Sequence, residues 1–243
     1  MTAFAVAPPV RALIRKELRE YRHHRMILLT AVILPVVFLV LPIVNLMLFD
    51  PARSPGGIEF AVGQAMFCFF LCPVIIPATM AAFAVVGEKE QGTLEPLMTL
   101  PLTDREFLGG KVLAIVVPTV AASFIIFALY MIAVVSVAPD EVRSATLHWT
   151  WSFGFLLLTP ALAMFSTLVG VAFSARAKDI RVAEHLSGLV LLPCMFPIML
   201  VVTNTVPATA LTWAIFTGIV AALDVLLWRT ALRAFDRERA ISA

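Results

Sequence analysis

The sequence predicts an all-α integral membrane protein with six transmembrane helices, and three observations carry that prediction. The 243 residues are 61% hydrophobic and only 14% charged, whereas soluble domains carry about 25% charged residues. So little polar surface cannot coat a water-soluble globule. Six stretches, roughly 26–49, 60–87, 111–138, 151–175, 186–203 and 209–228, are long and apolar enough to cross a bilayer. The basic residues, finally, are segregated. Sixteen of the 18 Lys and Arg precede span one, lie between spans two and three or four and five, or follow span six, and only Arg53 and Arg143 lie in the alternate connections. The positive-inside rule then puts both termini in the cytoplasm, for a multi-pass protein of the plasma (inner) membrane. The chain is expected to form one transmembrane domain over residues 1–243.

Residues 10–25 precede the first span. Val10, Leu13, Ile14, Leu18 and Tyr21 recur at helical spacing, with charged residues, Lys16, Glu17 and Arg19 among them, on the other face. Pro8 and Pro9 stand just before the start. This predicts an amphipathic helix lying along the membrane interface, its arginines near anionic headgroups. A plain basic flank that only sets topology is the alternative. The apolar run of span one is too long for a signal peptide, and no small-residue cleavage site follows it.

The spans are rich in proline, including the i, i+4 pairs Pro73/Pro77 and Pro193/Pro197. Each interior proline removes a backbone hydrogen bond and bends its helix. Bent spans two and five could line a substrate pathway, with Pro73, Pro77, Met195 and Phe196 as candidate lining residues. Proline is also simply commoner in membrane helices, and both readings stand. Cys68, Cys72 and Cys194 fall within spans and lack His or carboxylate partners, so they read as packing residues and no metal site is expected. Asp224 is the one carboxylate well inside a span, five residues before Arg229. It reads as an acid reaching toward its own basic flank, or as a functional intramembrane group. "TNTVPA" at 203–208 makes a hairpin of spans five and six.

Between spans two and three lies "EKEQGTLEPLMTLPLTDREFLGGK", residues 88–111. Gly92 permits a sharp turn, after which Thr93 to Thr99 form a short helix with Leu94, Leu97 and Met98 on one face. Pro101 ends it by pushing Leu100 out of the α region. Thr103 then caps a new helix, Glu106 completes a capping box, and Leu102 with Phe107 supplies a hydrophobic staple. The segment therefore reads as a short amphipathic helix, a rigid corner and a capped helix, and its exposed apolar stripe calls for a partner. Resting on the bilayer surface is the alternative.

This segment resembles the signature of ABC-2 type transporter permeases, approximately E-x-E-x-G-T-L-E-x-L-x-x-x-P followed by G-K before span three. Glu88, Glu90, Gly92, Thr93, Leu94, Glu95, Leu97, Pro101, Gly110 and Lys111 match. "KELREYRHHR" at 16–25, "SARAKDIRVAEHLSGLVLLP" at 174–193 and "FDRERAI" at 235–241 are similar to other parts of that family, so the likeness covers nearly the whole chain. It implies a type V exporter-like fold in which residues 88–110, Met98 included, form the coupling segment seated in a separate ATP-binding subunit. Residues 176–185, with Arg176, Asp179 and Arg181, would make a second cytoplasmic contact, and 10–25 would be the connecting helix. Two permeases and two ATPases would make the transporter, with spans one, two and five near the two-fold axis. ATP and Mg²⁺ would belong to the partner, and this chain would hold no cofactor and bind no nucleic acid.

The residues agree with that division of labour. A phosphate-binding loop needs G-x-x-x-x-G-K-[ST], and Gly110-Lys111 is followed by Val112 and lacks the upstream glycine. No Ser/His pair, paired Asp or H-E-x-x-H lies within the spans, which disfavours an intramembrane enzyme. The spans are apolar apart from Asn45, Gln64 and Asn204 near their ends, which disfavours a channel or secondary transporter. The expected role is the permease of an exporter of amphiphilic or lipid-like compounds, or of sodium or glycans within the same family.

Overall fold

A computed structural model describes residues 8–23, 25–48, 57–90, 92, 103–177 and 179–234. The expected short helix over 93–99, with Thr93, Leu94, Glu95, Leu97 and Met98, and the corner at Pro101 lie outside the described residues, as do the side chains of Glu88 and Glu90. The described residues form eight helices: α1 Pro8–His23, α2 Arg25–Met47, α3 Gly57–Glu90, α4 Asp104–Val137, α5 Asp140–Thr146, α6 Trp149–Arg176, α7 Ile180–Val202 and α8 Ala210–Ala234. No strand occurs among them.

Six helices, α2, α3, α4, α6, α7 and α8, are long and apolar enough to cross a membrane, and they are the six predicted spans. Two are longer than their apolar runs. α3 and α4 have 34 residues each, about 51 Å at 1.5 Å per residue, against a hydrocarbon core of about 30 Å. Hydropathy finds only the part of a helix that suits lipid. Glu, Lys and Arg are good helix formers, so both helices continue past the apolar stretch at the end of the bundle that carries most of the basic residues.

α3 is the central post, packed against α2, α4, α6 and α7. The spanning windows of α3 and α6 are each 67% buried, whereas those of α2 and α8 are 17% buried, so the core forms around the first pair. Lipid tails are as apolar as Leu, so helices associate in a membrane through close packing rather than through escape from water. Aromatic rings supply one such contact: Phe127 stacks on Phe155 at 4.2 Å between centroids, Phe69 meets Tyr130 at 4.7 Å and Phe70 stacks on Trp213 at 5.3 Å.

Small residues supply the other. Ser166, Gly170 and Ser174 recur every four residues on α6 and face α3. A methyl added at Gly170 would fall 2.5 Å from Ala81 Cβ, so only glycine allows this approach. Ser166 donates to Val74 O at 2.5 Å, three residues before Pro77. The second serine enters the α3 ladder itself: its hydroxyl donates to Ala82 O at 2.7 Å and accepts from Val86 N at 3.1 Å.

α5 lies in the connection between spans three and four; Asp140 and Glu141 occupy its first turn and Arg143 pairs with Asp140 at 3.1 Å. The reading of Asp224 as an acid that reaches Arg229 is corrected. Asp224 is buried, its Oδ1 has no hydrogen-bond partner, and it forms no ion pair with Arg229 among the described residues. Five residues of α-helix turn a side chain through about 140°, so the two cannot share a face.

Candidate functional site

The basic end of the bundle carries the candidate site. α3 ends at Glu90, and Gly92 follows with φ +66°, a left-handed conformation that glycine adopts without strain. Gly92 thus has the conformation that the expected turn requires, while residues 91 and 93 lie outside the described residues. On the far side of residues 93–102 the chain re-enters helix at a capping box. Thr103 is extended (φ −73°, ψ 156°), Glu106 N donates to Thr103 Oγ1 at 3.3 Å, and Thr103 N donates to Glu106 Oε2 at 2.9 Å. Two of the backbone donors that a helix start leaves unpaired are thereby satisfied. Phe107, one partner of the expected staple, is buried against Val10 and Leu13; Leu102 lies outside the described residues.

α1 docks on this start of α4. Val10, Leu13 and Tyr21 are buried, as the apolar periodicity predicts, but so is Glu17, at 2% exposure. Lys111, at the entry to span three, is 1% exposed. Its Nζ donates to Glu17 Oε1 at 3.1 Å and lies 5.2 Å from the centre of the Phe107 ring. One residue earlier, Gly110 faces α1, and a methyl added there would sit 2.7 Å from the end of the Leu13 side chain, which packs directly over the glycine. Burial alone would raise the Glu17 pKa. Lys111 and Lys16 outweigh it and hold the carboxyl below its ordinary range. Lys16 reaches Glu17 at 3.6 Å and Glu20 at 3.1 Å. Arg19 stays exposed on the opposite face. The helix expected at the membrane interface is thus docked along one face, and Glu17 belongs to its buried seam.

The second predicted contact region adjoins the exit of α3. Asp179 caps α7, accepting from Val182 N at 2.9 Å, while Arg176 and Arg181 on either side are exposed. Ala183, in the first turn of α7, packs with Ala82 and Val86 of α3, the stretch into which Ser174 inserts. The exit of α3 is therefore held by both α6 and α7 within two turns of Glu90.

The pathway candidates do not converge within one chain. Pro73, Pro77 and Met195 are buried inside the bundle, whereas Phe196 points outward at 61% exposure.

The sequence matches the ABC-2 family transporter profile over residues 11–234, a span that takes in the Glu17–Lys111 seam and all six spanning helices. The chain belongs to the ABC-2 family of transporter proteins. This ABC-2 permease is thus the membrane-embedded subunit of an ABC transporter and works with an ABC ATP-binding subunit. A comparison with curated proteins finds no match.

Two features of the ABC-2 permease escaped the sequence reading although their signals were there. Glu17 stands in the same stripe as Val10, Leu13, Ile14 and Tyr21, so the helical count already put it on the docking face. Ser166, Gly170 and Ser174 spell the small-residue repeat of a close membrane helix contact.

Proposed function

We propose that this ABC-2 permease is the transmembrane half of an ATP-driven exporter of amphiphilic or lipid-like compounds. It works as a homodimer with two ATP-binding subunits, in the plasma membrane, with both termini in the cytoplasm. The observation that carries this reading is the bracketing of residues 91–102. They run between the exit of α3, pinned by Ser174 and Ala183, and the capped start of α4, pinned to α1 through Glu17 and Lys111. A segment held at both ends by rigid helices can pass displacement to them instead of absorbing it. Leu94, Leu97 and Met98 would seat in the ATP-binding subunit, Glu88, Glu90 and Glu95 would flank them, and Arg176, Asp179 and Arg181 would make the neighbouring contact.

Two further observations support the substrate class and the assembly. The interior of one chain is filled by aromatic and small-residue packing. The outward faces of α2 and α7 are broad and apolar, with Val32, Val36 and Val40 exposed on one and Leu189, Leu192 and Phe196 on the other. A pathway between two such faces offers few polar groups and suits amphiphiles better than ions. The test is reconstitution of the permease with its ATP-binding subunit in vesicles, screened against amphiphilic drugs, lipids and sodium. ATP-dependent movement of an amphiphile is expected; transport of sodium alone would overturn the substrate class, and a stable monomeric permease in the active complex would overturn the homodimer.

A further inference from the structure

The pairing on α1 leaves a charge unanswered. Its two described carboxylates are both engaged, Glu17 with Lys111 at 3.1 Å and Glu20 with Lys16 at 3.1 Å. Arg11, Arg15, Arg19 and Arg22 are all exposed and make no ion pair among the described residues. At 100° per residue these four fall within an arc of about 80°, roughly 155° around the helix from the buried stripe of Val10, Leu13, Glu17 and Tyr21. Leu18 borders the arc and is 38% exposed. Four guanidinium groups beside one aliphatic side chain form a cationic, amphiphilic strip.

The depth of this strip is fixed. α1 is held against the first two turns of α4 by Phe107, Gly110 and Lys111. It is followed almost directly by α2, whose apolar window starts at Leu28. It therefore runs where the bilayer changes from headgroup to hydrocarbon, with one face on the bundle and the other directed away from it. The groups that lie at that depth beside a membrane protein are lipid headgroups.

We propose that Arg11, Arg15, Arg19 and Arg22 form a docking surface for anionic phospholipid headgroups, and that those lipids press α1 onto the start of α4. Guanidinium forks engage phosphate oxygens two at a time, and basic clusters on amphipathic helices attract anionic lipid. Leu18 meets the glycerol and upper acyl region. The Glu17–Lys111 pair then joins the lipid-bound helix to the helix that continues from residues 93–102. The proposal requires only that the chain spans the membrane with α1 at its surface, and holds whatever the transported compound is.

The test uses the full-length permease alone, exchanged from vesicles of phosphatidylcholine and phosphatidylglycerol into mild detergent, with retained lipids identified by native mass spectrometry. Wild type should retain phosphatidylglycerol in preference, by about fivefold per engaged arginine, and the preference should shrink as salt is raised. R11Q/R15Q/R19Q/R22Q should retain the two lipids equally. That variant also loses topogenic charge, so the salt series on wild type stands as the second measurement. A wild-type preference that salt leaves unmoved, or one that survives in the four-glutamine variant, overturns the proposal.

Discussion

Glu17 and Lys111 carry the sharpest residue-scale consequence. Both are almost fully buried and 3.1 Å apart. Removing one partner takes from a buried charge its closest counter-ion, at a cost of up to about 3–5 kcal/mol, less for Lys111 because Lys16 stays 3.6 Å from Glu17, whereas removing both is far milder. Glu17→Gln and Lys111→Met should therefore each lower the thermal midpoint of the purified permease, and the double variant should recover much of the loss. Additive losses would mean that the two groups do not act as a pair. The carboxyl is held below its ordinary pKa, so its contribution is fully present above the ordinary glutamate range and disappears as pH falls through the lowered value. The stability difference between wild type and Glu17→Gln should therefore be constant near neutrality and close only in acid. A difference that closes near neutral pH would contradict the assignment. The sequence places Lys111 in the capped helix that enters span three, as the structure does, but does not show its burial against α1. A partner 94 residues away in the chain leaves no local trace.

Among the elements, the seam between α3 and α6 decides how firmly the exit of α3 is held. Gly170→Leu puts a large side chain where a single methyl already meets Ala81 Cβ at 2.5 Å. It should separate the helices and cost roughly 1–3 kcal/mol or more. Ser174→Ala removes a hydroxyl bonded to both Ala82 O and Val86 N. Interhelical hydrogen bonds in membranes are worth about 0.6 kcal/mol on average, so Ser174→Ala should leave the fold intact. Its effect should appear as faster amide exchange around Val86. Unchanged exchange there would show that the serine does not restrain the α3 exit. The helices themselves were largely legible: six apolar runs gave six spans, and T-x-x-E at 103–106 gave a capping box that the structure reproduces atom by atom. α5 was not, because seven residues bearing Asp140, Glu141 and Arg143 read as a polar connection, and only docking on α3 and α4 makes them a helix.

At the scale of the whole molecule, the distribution of basic residues implies that Lys89 and Arg181 face the cytoplasm and Arg53 and Arg143 the outside. Single cysteines at these four positions in a cysteine-free background should label with an impermeant reagent only at 53 and 143. Labelling at 89 would place residues 91–102 where no ATP-binding subunit could reach them. The family was legible because residues 88–111 carry a local pattern that resembles its signature. The fit of α1 against α4 was not, because it depends on a glycine, a lysine and a glutamate meeting across the fold. The claim on which the functional reading turns is that residues 93–99 join this permease to its ATP-binding subunit. Leu94→Asp with Met98→Asp puts two carboxylates on that apolar stripe, where burial would be costly, and leaves every spanning helix untouched. The most direct measurement is recovery of the ATP-binding subunit on purified wild-type and double-variant permease, with ATP-driven transport measured on the same preparations. The account predicts a normally inserted variant that recovers little of the subunit and transports nothing; equal recovery with equal transport would contradict it.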